Sequence, residues 1–185
     1  MSIDRIYAEL QKMNTDEHYI ELAKTDVLFI PVIIDIMLDK ISPLSLWAES
    51  LLEKISSDNP LIVYPYIGYI SSALDKSSSF NNWNVWKIIA NILECDYRNQ
   101  WELLRAKYFN SLNSERITEF SISCDCAVKI ISAKPNEKDA IVGVLKDIDS
   151  RKFYIGDTLS PECCAVAKEK SEEVLKTLGY IFKAT

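Results

Sequence analysis

The side chain best suited to acid–base chemistry in this sequence is His18, the one histidine among 185 residues. A single histidine excludes metal sites built from several imidazoles, and a catalytic triad would have to include His18 itself. Its neighbours in the stretch NTDEHYIEL supply no nucleophile in a recognisable catalytic context. We therefore interpret His18 as a solvated residue on a helix.

Cysteines could supply thiol or zinc chemistry, and the chain has five, at positions 95, 124, 126, 163 and 164. Residues two apart on a helix point to nearly opposite sides, so Cys124 and Cys126 cannot chelate one ion together. Cys163 and Cys164 fall at a predicted helix start, where the helix dipole could lower the pKa of a thiol. The favoured interpretation is that the cysteines fill gaps between packed helices. An odd number without a disulfide framework suits a reducing compartment.

Motifs that mark common enzyme classes are absent from the sequence. It contains no glycine-rich phosphate loop, no HExxH, no Walker A motif and no nucleophile elbow. Acid pairs such as Glu172 and Glu173 lie on polar faces, without an apolar pocket that would shift their pKa values. The sequence therefore predicts no catalytic residue, no metal site and no cofactor.

Composition favours helices that pack in an aqueous environment. Hydrophobic residues make up 48% of the chain, yet it has only 4 glycines and 6 prolines, too few for the turns of a β-sandwich of this length. The net charge of −6 opposes binding to nucleic acid. The longest apolar run, 27–34, is too short to cross a bilayer, and the first residues do not follow the plan of a secretory signal. We expect a cytoplasmic protein without a membrane segment.

Apolar residues recur three and four positions apart along most of the chain, which is typical of amphipathic helices. The pattern predicts helices near 2–13, 16–24, 26–40, 43–56, 60–75, 81–95, 98–112, 114–133, 136–149 and 160–182. An ordered loop is predicted over 150–160, where Gly156 lies among aromatic and polar residues. Since no segment has the composition of a linker, we expect a single domain over 1–185.

A shift of 38 residues brings three of the predicted helices into register. Apolar columns then form from Leu51, Ile89 and Ala127, from Leu52, Ala90 and Val128, and from Ile55, Leu93 and Ile131. In the preceding helices, a shift of 34 aligns Pro31 with Pro65. Matched helix pairs at this period are the pattern of an α-solenoid.

With these prolines and this register, the sequence resembles the HEAT and armadillo-like repeat families, and small bacterial HEAT-like repeat proteins in particular. Pro31 and Pro65 match the proline that kinks the first helix of many HEAT pairs, and Asp39 and Asp75 resemble the aspartate of the turn. The resemblance implies an all-α fold, an α-α superhelix wound as a right-handed solenoid. Its helix pairs would lie near 26–56, 60–95, 98–133 and 136–182, behind a capping segment at 1–25.

A polar stripe recurs beside the apolar columns and would line the concave surface of such a stack. We expect a non-catalytic scaffold or adaptor that binds a protein partner there, because mixed charges suit a protein surface better than a phosphate backbone. Trp83, among asparagines near a helix start, is a candidate exposed anchor. The candidate partner-binding residues are Glu49, Glu53, Trp83, Lys87, Asn91, Asp125 and Lys129.

Two alternatives remain open from the sequence. One is a glycosylase or DNA-binding protein of the DNA-alkylation-repair kind, built from HEAT-like repeats, in which Trp83, Trp86 and Asp125 would contact damaged DNA. The acidic composition opposes it. The other is a homodimer that packs through apolar residues of the terminal helix, namely Val174, Leu178, Ile181 and Phe182.

Overall fold

The structure, a computed structural model, describes residues 1–12, 14–39, 43–75 and 83–180, except for the side chain of Trp83. These residues are mostly helical, which confirms the all-α class expected from composition and periodicity. The chain divides into two compact units, Met1–Arg98 and Asn99–Thr185. Each unit has its own buried core.

The first unit is built from helices joined by short connections. A 3₁₀ turn, Tyr64–Tyr66, separates α5 from α6, and two more, Ala73–Asp75 and Leu93–Cys95, follow α6 and α7. The helices are α1 (Ile3–Leu10), α2 (Asp16–Thr25), α3 (Phe29–Leu38), α4 (Ser45–Asp58), α5 (Pro60–Val63), α6 (Ile67–Ser72) and α7 (Trp83–Ile92).

The second unit has four α-helices, two 3₁₀ turns (Pro135–Glu137 and Ile148–Ser150) and a small hairpin within its described residues. The helices are α8 (Trp101–Leu112), α9 (Ile117–Ala133), α10 (Lys138–Lys146) and α11 (Pro161–Thr177). Strands β1 (Tyr154–Ile155) and β2 (Thr158–Leu159) pair antiparallel, where the sequence predicts an ordered loop. Gly156, at φ +60°, occupies the first position of their two-residue turn, a conformation that favours glycine.

The two prolines aligned by the repeat have different effects on their helices. The Asp26 carboxylate accepts a hydrogen bond from the Leu28 backbone N–H at 3.0 Å, and α3 begins only at Phe29. Pro31 therefore lies in the first turn, where a backbone N–H has no partner within the helix. The expectation that Pro31 kinks its helix is wrong for this reason.

Pro65, in contrast, interrupts its helix. It has no N–H to donate to the carbonyl of Leu61, and the backbone tightens into the 3₁₀ turn Tyr64–Tyr66 before α6 resumes the α-helical path. The inner side of this segment is buried through Val63, Tyr64 and Ile70. One side of α5 and α6 therefore packs on the core while their other side faces solvent.

Helix α4 is the centre of the first unit. It packs against α3 on one side and against α7 on the other. Leu51, Leu52 and Ile55 on α4 are at most 1% exposed. Burying side chains of this size contributes about 1.5–3 kcal/mol each. The apolar column predicted for the second helices is thus a real packing surface in this unit.

Helix α9 has the same place in the second unit, between α8 and α11. The Tyr108 hydroxyl on α8 donates to the Ser123 carbonyl on α9 at 2.9 Å, within the core. Arg151 donates to the carbonyls of Leu112 at 3.0 Å and Ser114 at 2.9 Å, which satisfies acceptors left open where α8 ends. Its guanidinium also lies over Phe120, 4.8 Å from the ring centroid.

Candidate protein-binding surface

Glu49, the first residue of the predicted partner-binding stripe, lies inside the first unit. Its side chain is only 3% exposed, and its carboxylate accepts hydrogen bonds from the backbone N–H groups of Asn84, at 2.8 Å, and Val85. Burial raises the pKa of Glu49, and these two bonds oppose the rise. Glu49 caps the start of α7, which corrects the expectation that it lines an open groove.

Asn91, a second residue of the stripe, is also buried. Its side-chain amide donates to the Ser56 hydroxyl at 2.9 Å and to the Glu53 carbonyl at 3.3 Å, so it ties α7 to α4. Buried polar groups need such partners, and a helix pair supplies them at a fixed spacing. For these two positions, the 38-residue recurrence of polar residues reflects internal bonding, which corrects the expectation that Asn91 lies on an open face.

The other residues of the stripe divide between the two units. In the first unit, Glu53 and Lys87 are half-buried, and Trp83 begins α7 with a side chain outside the described part of the structure. In the second unit, Asp125 and Lys129 are exposed on α9, and the Asp125 carboxylate pairs with Lys170 of α11 at 2.8 Å. Their role in partner binding stays a prediction.

The tryptophans with described side chains are structural. Trp86 is 4% exposed and Trp101 1%, while Trp47 packs edge-on against Tyr19 with ring centroids 5.4 Å apart. The Trp101 indole N–H donates to Glu137 at 2.9 Å, and the Arg105 guanidinium reaches the same oxygen at 2.7 Å. Burial raises the pKa of Glu137, but these two hydrogen bonds outweigh it and hold the pKa below its ordinary value.

The residues best suited to chemistry are one exposed histidine and five cysteines, three of which are buried. His18 is exposed and contacts the Glu9 carboxylate at 2.9 Å through Nε2. Burial raises the pKa of the Cys124 thiol to about 12, which suppresses its nucleophilic form. Cys126 and Cys163 are buried as well. In the described ranges, no three His, Cys, Asp or Glu side chains gather as a metal site would require.

Sequence reasoning missed an uncharged surface that the structure exposes. On the solvent side of α5 and α6, Leu61 is 64% exposed and Tyr69 68%, and Pro65 and Gly68 lie exposed between them. We call Leu61, Pro65, Gly68 and Tyr69 the outer face. The signal was present in the sequence, because the 16 residues from Asn59 to Leu74 carry no charge. Large apolar side chains exposed on one uncharged segment make it a candidate interaction surface.

A further aromatic side chain is exposed beside this helix. Tyr97 is 65% exposed, and its ring packs on the buried Tyr64 with centroids 4.5 Å apart. The Tyr64 hydroxyl donates to the Asp96 carboxylate at 2.7 Å and accepts from the Arg98 backbone N–H at 3.0 Å. Tyr64 thus holds the segment that carries Tyr97 against the turn between α5 and α6.

The side chains of this surface suit binding. Leu61 and Pro65 contribute aliphatic groups and Tyr69 an aromatic ring, which suit contact with the apolar side chains of a partner. No helix in the described part of the chain has the length and apolar character that a bilayer crossing requires. Comparison of the chain with protein-family models, with curated proteins and with solved structures finds no match.

Proposed function

We propose that this protein is a non-catalytic helical-repeat scaffold that binds a protein partner through the outer face of its first unit. The observation that carries the proposal is the pair of large apolar side chains, Leu61 on α5 and Tyr69 on α6, exposed to solvent on a segment that has no charged residue. Exposing them to water is unfavourable, and a partner that covers both removes that cost.

The proposal retains the helix-pair architecture expected from the sequence. Packing of α4 between α3 and α7, and of α9 between α8 and α11, supports repeats in which the second helix of each pair meets the next. The HEAT-like right-handed superhelix, the single domain and the cytoplasmic location stay predictions. The binding surface moves from the predicted groove to the first helix of a pair, since Glu49 and Asn91 are committed to internal bonds.

The ordered backbone of the outer face supports a binding role for its exposed side chains. Pro65 fixes its own backbone angle, and Tyr64 and Ile70 anchor the helix to the core at 0% exposure. Leu61 and Tyr69 therefore project from a backbone that is already ordered. Little conformational entropy is lost there on binding, which is the usual benefit of a preorganised surface.

Gly68 offers the cleanest way to test this surface. A Cβ added at Gly68 meets no atom within 4 Å, so a long side chain at this position projects into solvent and into any bound partner. Gly68→Ala is the matched control, because it makes the same backbone change without the bulk or charge. Replacing glycine by alanine within a helix also favours the helix.

The experiment is affinity capture from cells that express the protein natively, with quantitative mass spectrometry of wild type, Gly68→Arg and Gly68→Ala. We expect a set of partners retained by wild type and Gly68→Ala and lost at least tenfold with Gly68→Arg. Circular dichroism would establish that all three are folded. Capture that is unchanged by Gly68→Arg would contradict binding at the outer face.

A Lys87→Glu variant, made beside them, tests the groove predicted from the sequence. Lys87 is half-buried on α7 and belongs to the polar stripe, not to the outer face. Partners lost with Lys87→Glu but kept with Gly68→Arg would return the site to that groove. Capture that nuclease treatment abolishes would instead favour the DNA-binding alternative.

A further inference from the structure

We propose that the partner presents an amphipathic helix whose apolar side chains are flanked by lysine or arginine, an inference that rests on the proposed protein-binding function. The apolar part of the recognition follows from Leu61 on α5 and Tyr69 on α6, both exposed on the outer face. Exposed apolar side chains of this kind suit the apolar face of an amphipathic helix, whose anchors recur at i, i+3, i+4 and i+7. The basic part follows from the charges around the face.

Acidic side chains stand at the border of the outer face. Asp58 lies just before α5 and Asp75 just after α6, and both are exposed. The 3₁₀ turn Leu93–Cys95 packs against α5 and carries the exposed Glu94. Asp96 follows this turn, and its carboxylate accepts a hydrogen bond from the Tyr64 hydroxyl. A partner that covers the apolar centre would bring its own border close to these carboxylates.

Among the described residues near this border, two side chains, Lys24 and Arg98, are basic and four are acidic. Lys24 contacts both Asp58, at 3.0 Å, and Glu21, at 2.8 Å, so its charge is shared between two carboxylates. Arg98 lies over the Tyr97 ring, 5.5 Å from its centroid. Opposite charges at an interface rim steer association and select partners more than they add affinity. The border therefore selects for basic partners.

The charge of the whole first unit acts in the same direction. Residues 1–98 contain 14 acidic and 8 basic side chains, so the chain's entire net charge of −6 belongs to this unit. Residues 99–185 contain 13 of each and are neutral. A field of one sign around an uncharged face attracts basic partners from a distance.

The same charges disfavour two other occupants. Nucleic acid would bring its phosphates against a unit with a net charge of −6. A second copy of this chain, placed face to face, would bring two acidic borders together, and like charges opposed in this way are unfavourable. A basic amphipathic segment satisfies both the apolar centre and the border.

The experiment is a display selection with a library of random 16-residue peptides against the full-length protein. Wild type is the bait, and Gly68→Arg serves for counter-selection, so that peptides are kept only if they need an open outer face. We expect the selected peptides to combine helically spaced apolar residues with net positive charge. The tightest peptide is then synthesised, and its affinity is measured at 50 and 300 mM salt.

Two variants of equal net charge locate the binding and separate it from general attraction. Tyr69→Lys adds a positive charge on the outer face, while Leu103→Lys adds one at a 70%-exposed leucine of the second unit. We expect Tyr69→Lys to lower the affinity for the synthesised peptide at least tenfold, and Leu103→Lys to change that affinity less than twofold. Equal weakening by both would show attraction to net charge alone and overturn the proposal.

The remaining outcomes separate this inference from the proposed function. Selected peptides that are neutral or acidic, yet still need an open outer face, would overturn the basic partner and leave the protein-binding surface in place. A selection that yields no peptide distinguishing wild type from Gly68→Arg would count against the surface itself, and so against the basic partner with it.

Discussion

Removal of the Glu49 cap should destabilise the start of α7, while a neutral amide in its place should not. Glu49→Ala leaves two buried backbone N–H groups, those of Asn84 and Val85, without their acceptor. Losing a cap costs about 0.5–2 kcal/mol, and leaving a buried donor unpaired costs about 1–3 kcal/mol. We expect Glu49→Ala to lose about 1–3 kcal/mol of unfolding free energy. Glu49→Gln keeps an oxygen acceptor.

The pH dependence separates the charge of Glu49 from its hydrogen bonds. Burial raises the pKa of Glu49 above its ordinary value of 4.5, so the folded state binds more protons than the unfolded state above that pH. Stability is therefore lost as pH rises from the unfolded pKa through the folded pKa, by about 1.4 kcal/mol for each pH unit that separates the two pKa values. The unfolding free energy of Glu49→Gln should equal or exceed that of wild type at pH 7. Any excess should vanish near pH 4.5, the ordinary pKa of the glutamate side chain.

Urea unfolding followed by circular dichroism at pH 4.5 and pH 7 measures these differences, and amide hydrogen exchange of residues 83–92 localises them. Glu53→Gln is the matched control, one turn further along α4 and half-buried. Equal stability of Glu49→Ala and Glu49→Gln at pH 7, with unchanged exchange in α7, would refute the capping role.

Three further predictions concern the second unit. Glu137→Ala should lose about 1–3 kcal/mol of unfolding free energy, because it removes the acceptor of the buried Trp101 indole N–H, whereas water can hydrate the exposed Arg105 guanidinium. Since the pKa of Glu137 is lowered, the stability that it provides above its ordinary pKa of 4.5 should fade in wild type as pH falls below that value. Acid titration of ellipticity measures this loss. Arg151→Lys should lower the urea midpoint nearly as much as Arg151→Met, because lysine cannot reach both the Leu112 carbonyl and the Ser114 carbonyl. A urea midpoint for Arg151→Lys equal to that of wild type would contradict this prediction. Because its pKa is about 12, Cys124 should not be alkylated by iodoacetamide at pH 8 until urea unfolds the chain. Mass spectrometry of the labelled peptides measures this, and alkylation of Cys124 before unfolding would contradict the prediction.

The helices were predictable because their sequence signals are local. Ser160 before Pro161 indicates a capped helix start, and the Ser160 hydroxyl accepts from the Cys163 backbone N–H at 3.2 Å. The effect of Pro31 was not predictable, since it depends on where α3 begins. Helix α3 begins at Phe29, which places Pro31 in its first turn. A shift of a few residues in a helix start decides whether a proline bends the helix or fits its first turn.

The candidate site was less accessible to sequence reasoning than the fold. A polar residue beside an apolar column can face solvent or bond across the helix pair, and periodicity does not separate the two, as Glu49 and Asn91 show. The outer face had a usable signal in the uncharged stretch from Asn59 to Leu74. The pattern of that stretch also predicts a fully buried helix. Only the packing of α5 and α6, which is confined to one side, determines which residues are exposed.

The most direct test of the protein-binding surface is site-specific photo-cross-linking in native cells, with p-benzoylphenylalanine at position 69 or, as control, at position 103. Both residues are highly exposed, Tyr69 at 68% and Leu103 at 70%, so both probes reach solvent equally. We predict a discrete cross-linked protein at position 69 that is absent at position 103 and lost when Gly68→Arg is added. Identical cross-linking patterns at the two positions, or no protein adduct at position 69, would contradict a binding role for the outer face.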